Sequence, residues 1–130
     1  MPSDIPTGHL TVLGRTQRAP IEHVECFAAP ADVRVVRFRT EELASRCPVT
    51  SQPDLSSLVI EYEPDGLCVE SKSLKLYLWS FRDRAVFAEA MAADIAAEIF
   101  GATDAAWVRV TLTQRPRGGI TLTAVAERRP

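Results

Sequence analysis

Histidine is scarce in this chain. His9 and His23 are its only two, both near the N-terminus. A histidine-built zinc site or a Cys-His dyad in the body of the chain is therefore unsupported. Cysteine is also sparse. Cys26, Cys47 and Cys68 are an odd number, widely separated, with no CxxC spacing. That excludes a disulfide framework and points to reduced thiols in a cytoplasmic setting. Neither a GxGxxG nor a Walker motif is present. No apolar run approaches the length a bilayer needs. The opening Met1–Pro6 lacks the charged and apolar segments of a secretory signal, so the expectation is a chain that stays in the cytosol. A formal net charge of −2 gives no electrostatic footprint for nucleic acid.

What is there fits one globular domain: 130 residues, 46% hydrophobic and 25% charged. The cations are unevenly chosen, with only two lysines among 15 basic residues. Both, Lys72 and Lys75, fall in Glu70-Ser71-Lys72-Ser73-Leu74-Lys75. Where arginine is the default, a compact ammonium at two nearby positions marks a segment to watch. A solvated helix face accounts for it equally simply.

Residues 1–31 are rich in proline and read as an irregular arm, with one short extended piece near Glu22–Phe27. The remaining 32–130 read as the domain. Asp32–Arg39 is a valine-rich strand. Residues 41–54 form a connection bracketed by Pro48 and Pro53. Leu55–Glu63 is the next strand, ended by the turn Pro64-Asp65-Gly66. Ser71–Phe81 fits strand and helix alike, and Ser71 as an N-cap favours a helix. Arg84–Phe100 is a clear helix, with Phe87, Met91, Ile95 and Ile99 four apart and Gly101 as its stop. Ala106–Thr113 and Gly119–Ala126 alternate as strands. The order strand, strand, helix, helix, strand, strand predicts an α+β fold with both helices on one face of a four-stranded antiparallel sheet. Trp79 and Trp107 read as core.

Four segments are candidates for chemistry. Cys47-Pro48-Val49-Thr50-Ser51-Gln52-Pro53-Asp54 is a loop stiffened by two prolines. Cys47 there suits a nucleophile and Asp54 a proton carrier. A small buried thiol beside a turn carboxylate is the plainer reading of the spacing alone. In Val69–Lys75, two ammonium groups three residues apart share a helix face and suit phosphates, or simply solvent. Glu89 can accept two parallel hydrogen bonds from one edge of a guanine-like base, or face water as an ordinary helix glutamate. Arg115-Pro116-Arg117-Gly118-Gly119 combines two cations with glycines free to take positive φ, and is also an unexceptional hairpin connection.

Together these segments resemble the NADPH-dependent nitrile reductases of queuosine biosynthesis, in their unimodal form with the tunnelling fold. The likeness runs from Leu10-Thr11-Val12-Leu13-Gly14 to Arg117-Gly118-Gly119. Cys47-Pro48-Val49-Thr50 with Gln52-Pro53-Asp54 is similar to the family's nucleophile loop. Glu70 to Tyr77, followed by Ser80-Phe81-Arg82, is similar to its cofactor motif. The resemblance implies reduction of 7-cyano-7-deazaguanine to its aminomethyl form. Cys47 would form a covalent thioimidate, Asp54 would carry protons, and two NADPH would supply hydrides. Val69, Glu70, Ser71, Ala88 and Glu89 would stand at substrate positions, and Lys72, Lys75, Arg117 and Gly118 at cofactor positions. It also implies subunits joined through their sheets into a barrel, a pentamer or decamer with sites at subunit interfaces.

Two positions depart from the family pattern. Ala88 stands where the family has histidine, between Phe87 and Glu89, and Ser51 stands where it has glycine. Loss of an orienting or proton-relaying histidine costs about 10²–10⁴ in rate. Two other functions remain open on the sequence. One is an amidine-forming transferase that traps the same nitrile and adds ammonia. The other is a non-catalytic module that binds deazaguanine or pterin bases.

Overall fold

The computed structural model describes residues 19–130. Leu10–Gly14 and the arm reading for residues 1–18 lie outside the described residues. Eight elements follow in order: β1 (Cys26–Ala28), β2 (Val36–Arg46), β3 (Pro53–Glu63), β4 (Leu67–Val69), α1 (Ser71–Trp79), α2 (Ala88–Thr103), β5 (Trp107–Arg117) and β6 (Ile120–Arg128). Four strands pair antiparallel in the order β2-β3-β5-β6, with both helices inserted between the two hairpins. β1 and β4 form a separate two-stranded ribbon, registering Cys26 with Val69 and Ala28 with Leu67. Such three-residue strands are too short to show a period in sequence.

Alternation sorts the sheet into two faces. Leu58, Ile60 and Tyr62 of β3 and Val108, Val110 and Leu112 of β5 are buried under the helices with Met91, Ile95 and Ile99 of α2. The opposite face carries no helix among the described residues. It holds cross-strand ion pairs, Arg37 with Glu61 and Arg109 with Glu127, and a Thr113–Thr123 hydroxyl contact.

Several boundaries differ from the sequence reading. β2 continues through 41–46, which was expected to be a connection. A register shift between Thr40 and Leu43 lets the strand absorb Glu41-Glu42 and then resume alternation. The connection shrinks to 47–52, and Pro53 opens β3, the strand position where a missing N–H costs least. α1 is capped by Glu70 rather than Ser71, its carboxylate accepting from Lys72 N at 2.7 Å and Ser73 N at 2.8 Å. α2 starts at Ala88, after a Phe87 cap with no side-chain bond, and runs past Gly101. Thr103 Oγ1 donates to Ile99 O at 2.7 Å, and Asp104, left-handed at φ 51°, ends the helix. No helix among the described residues is long and apolar enough to cross a membrane.

Candidate active site

The loop between β2 and β3 is closed by its own backbone. Ser51 N donates to Cys47 O at 2.8 Å, and Cys47 N to Gln52 O at 2.9 Å. Arg46 ties this loop to the segment before α2. Its N–H donates to Arg84 O at 2.9 Å, and its carbonyl accepts from Val86 N at 3.2 Å. Its guanidinium reaches Ser51 O at 3.2 Å and Asp83 Oδ1 at 3.3 Å. Phe87, Ala88 and Glu89 therefore begin α2 at the same end of the sheet as Cys47. Glu89 lies in the first turn and is exposed, Ala88 is buried, and Phe87 is 60% exposed.

Cys47 is partly exposed, and its thiol is lowered to about 7. The chief cause is the Thr50 hydroxyl, followed by the turn amides of Thr50 and Val49 and then the Arg117 guanidinium. Each donates to the thiolate and so favours the charged form. The other two thiols are inert by comparison. Burial pushes Cys26 up to about 11 and also raises Cys68. Only Cys47 has substantial thiolate near neutral pH.

Asp54 is the second residue of β3, with its side chain 3% exposed. Arg117 Nη1 donates to its Oδ1 and forms an ion pair with it. Register accounts for this contact across 63 residues of sequence. β3 and β5 pair as far as Ser56 with Gln114, so the ends carrying Asp54 and Arg117 run on side by side. A register shift between Gln114 and Arg117 re-aims the strand before the Gly118-Gly119 turn, at φ 60° and 78°. Beside Asp54 on the helix-covered face lie Ser45, its cross-strand partner, and Ser56, two residues on. The hydroxyls of both are buried with no hydrogen-bond partner among the described residues.

The expected substrate and cofactor positions do not all meet in one protomer. Val69 N donates to Tyr62 Oη at 2.7 Å, so Val69, Glu70 and Ser71 sit at the far end of β3. From Pro53 to Tyr62 a strand spans about 30 Å, at about 3.3 Å per residue. Glu70 is buried, and both its carboxylate oxygens are engaged in capping α1. α1 stands over β2 and leaves a cavity of about 470 Å³. Leu58, Ile60, Leu74 and Leu78 line it with Trp79, and Ser71, Lys75, Arg39, Arg82 and Glu42 supply its polar groups. Trp79, expected in the core, is 38% exposed at this cavity. Arg117 is not among the cavity's lining residues.

Sequence reasoning missed Thr50, Arg46, Ser45 and Ser56. Thr50 was legible in principle: a hydroxyl three residues after a turn cysteine is placed to bond back to it. The serines carried no signal, because nothing local tells a buried hydroxyl from an exposed one.

A family model described as QueF-like protein matches residues 53–130. The chain is 43% identical over 112 residues to the NADPH-dependent 7-cyano-7-deazaguanine reductase of Alkalilimnicola ehrlichii, covering 85% of this chain and 87% of that protein. It is 40% identical over 128 residues to the protein of the same name from Syntrophus aciditrophicus, covering 97% and 89%. Among solved structures, the apo form of the archaeosine synthase QueF-Like superposes with a TM-score of 0.69 at 27% identity, covering 76% of this chain and 94% of that one.

Proposed function

The chain belongs to the QueF-like family, and from that premise we propose that it reduces the nitrile of 7-cyano-7-deazaguanine to the aminomethyl group, with NADPH as reductant and Cys47 as nucleophile. The observation that carries the reading is the cluster of Cys47, Arg117 and Asp54: a thiol lowered to about 7 beside a buried carboxylate.

The Cys47 thiolate attacks the nitrile carbon. The S–C bond forms, one C–N π pair moves onto nitrogen, and Asp54 hands that nitrogen the proton taken from the thiol. The product is a thioimidate, in which the carbon stays at the nitrile oxidation level and is held covalently away from water. NADPH supplies hydride, two per nitrile. The C–S bond breaks between the two reductions and returns the thiolate. Glu89 accepts from the N–H and amino donors of the base. Lys75, with Arg39 and Arg82 over an apolar floor, fits an anionic dinucleotide. Lys72 and the Gly118 turn belong to the same proposed cofactor set.

Val69, Glu70 and Ser71 lie far from Cys47 within one protomer. A second copy brings them to the site if subunits join edge to edge through β2 and β6, which end the sheet unpaired among the described residues. The bare, ion-paired face then lines a tunnel. This reading accounts for a sheet with helices on one side only.

Mass spectrometry of the intact protein after mixing with the nitrile tests the proposal. One substrate mass should add, should fail to add to Cys47→Ala, and should convert to released amine on adding NADPH. Release by ammonia without NADPH would mark the amidine-forming reaction, the chemistry closest to the archaeosine synthase likeness. Absence of any adduct would leave a base-binding module.

A further inference from the structure

Ser45 and Ser56 are each 1% exposed, and neither hydroxyl meets a hydrogen-bond partner among the described residues. Buried hydroxyls are normally paired, so two idle ones in one place need a reason. Both flank Asp54. Ser45 is its cross-strand partner, and such pairs hold their Cβ atoms about 4.5–5.5 Å apart. Ser56 follows on the same face of β3, about 6.6 Å along the strand at about 3.3 Å per residue. Asp54 forms an ion pair with Arg117, which is the arrangement of its ionised form. We propose that Ser45 and Ser56 are positioning residues for the other form: when Asp54 holds a proton, one of the two hydroxyls accepts its O–H and keeps the acid in place at the start of β3. What this does for nitrile capture rests on the reductase reading above.

A proton carrier has two forms with opposite needs. The carboxylate only accepts hydrogen bonds, and a guanidinium, which only donates, suits it. The carboxylic acid has an O–H to donate, and a guanidinium has nothing to receive it. Burial to 3% exposure withholds bulk water from that O–H, and a buried polar group left unmet is costly. A serine hydroxyl has lone pairs for the purpose and presents them by turning about one torsion. The elements around Asp54 bring groups of other kinds. β5 brings Arg117, the ion partner. β2 brings Arg46, whose guanidinium is turned onto Ser51 O and Asp83. The loop before β3 brings Cys47, and α2 opens at this end of the sheet with Glu89, which is exposed. During nitrile capture Asp54 is an acid only between taking the thiol proton and giving it to nitrogen. That interval is when the hydroxyls act, and it explains why they stand idle beside the ionised form.

The first test needs no nitrile. Thermal melts of the full chain compare the parent with Ser45→Ala/Ser56→Ala across pH. Near pH 7 the double variant should melt about 4 °C or more above the parent, since alanine removes two unmet hydroxyls. Acidification should erase about half of that lead or more. The parent's hydroxyls gain a partner as Asp54 takes up its proton, and the alanines cannot. In an Asp54→Asn background, where position 54 does not titrate, the lead should not change with pH. A lead that is absent near pH 7, that stays constant down to the acid limit of folding, or that narrows just as much in the Asp54→Asn background overturns the proposal. The second test is capture of the nitrile. The double variant should slow capture at saturation about tenfold, with half-saturating nitrile within about twofold of the parent. Either single alanine leaves one acceptor and should cost about two- to threefold. Alkylation of Cys47 by iodoacetamide calls for no proton delivery and should keep its rate. An equal loss in alkylation would mean a displaced loop and overturns the role. A parent that captures no nitrile removes the reductase reading, and the melts still decide what the serines do.

Discussion

Replacing Ser51 by glycine should stabilise the protein. Ser51 sits in the nucleophile loop at φ 61°, where a Cβ crowds the following carbonyl. A left-handed conformation costs a non-glycine residue about 1–2 kcal/mol. Glycine relieves that, but loses about 0.4–1 kcal/mol through the greater freedom of its unfolded chain. The balance is a net gain of about 0.5–1 kcal/mol by those two figures. Melting entropy for 130 residues comes to roughly 0.27 kcal/mol per degree, so Tm should rise by about 2–4 °C. Ser51→Ala keeps the Cβ and should leave Tm unchanged, since the serine hydroxyl makes no bond among the described residues. Ser51→Val, stiff and branched, should lower it. A circular-dichroism melt of the four proteins decides the matter. If alanine raises Tm as much as glycine, or if glycine lowers it, then strain at this φ is not what serine costs the loop.

Adduct formation should follow the Cys47 thiolate. It should rise through a midpoint of about 7 and fall tenfold per pH unit well below it, whereas Cys26→Ala and Cys68→Ala should leave the profile alone. A profile that moves with either of those thiols would transfer the nucleophile. Glu89→Gln should weaken base binding by about 1–3 kcal/mol, because one acceptor becomes a donor facing a donor; calorimetry that returns equal affinities would place Glu89 away from the base. Ala88→His should raise the hydride steps and spare capture, and single-turnover kinetics separate the two. The gain depends on the new imidazole finding support in a buried position. Brisk family-level turnover in the parent would show another group already doing a histidine's work.

The parts of the fold carried by period were readable. Met91, Ile95 and Ile99 announced the face of α2, alternation announced β5 and β6, and the turn Pro64-Asp65-Gly66 marked the end of β3. The misjudged boundaries share a cause: a local signal answered by something outside the window. Glu41-Glu42 looks like loop until the shift opposite β3 absorbs it. Gly101 looks like a stop until Thr103 and Asp104 supply a better one. Within the site, Cys47, Asp54 and the lysines announced themselves by motif. The contact between Arg117 and Asp54 could not, since strand pairing makes neighbours of residues that sequence keeps far apart.

Ser45 and Ser56 bear on how freely this protein can change. Each buries a hydroxyl that has no partner among the described residues, and a buried hydroxyl left unmet costs about 1–3 kcal/mol. Alanine at either position removes that cost and barely alters volume, so selection for durability alone would erase both. Their survival beside Asp54 fits the common conflict in which the residues nearest the chemistry are the ones a sturdier fold would discard. A screen that rewards only heat resistance should therefore drift toward alanine at 45 and 56. The chains it enriches are the ones whose proton handling most needs to be measured.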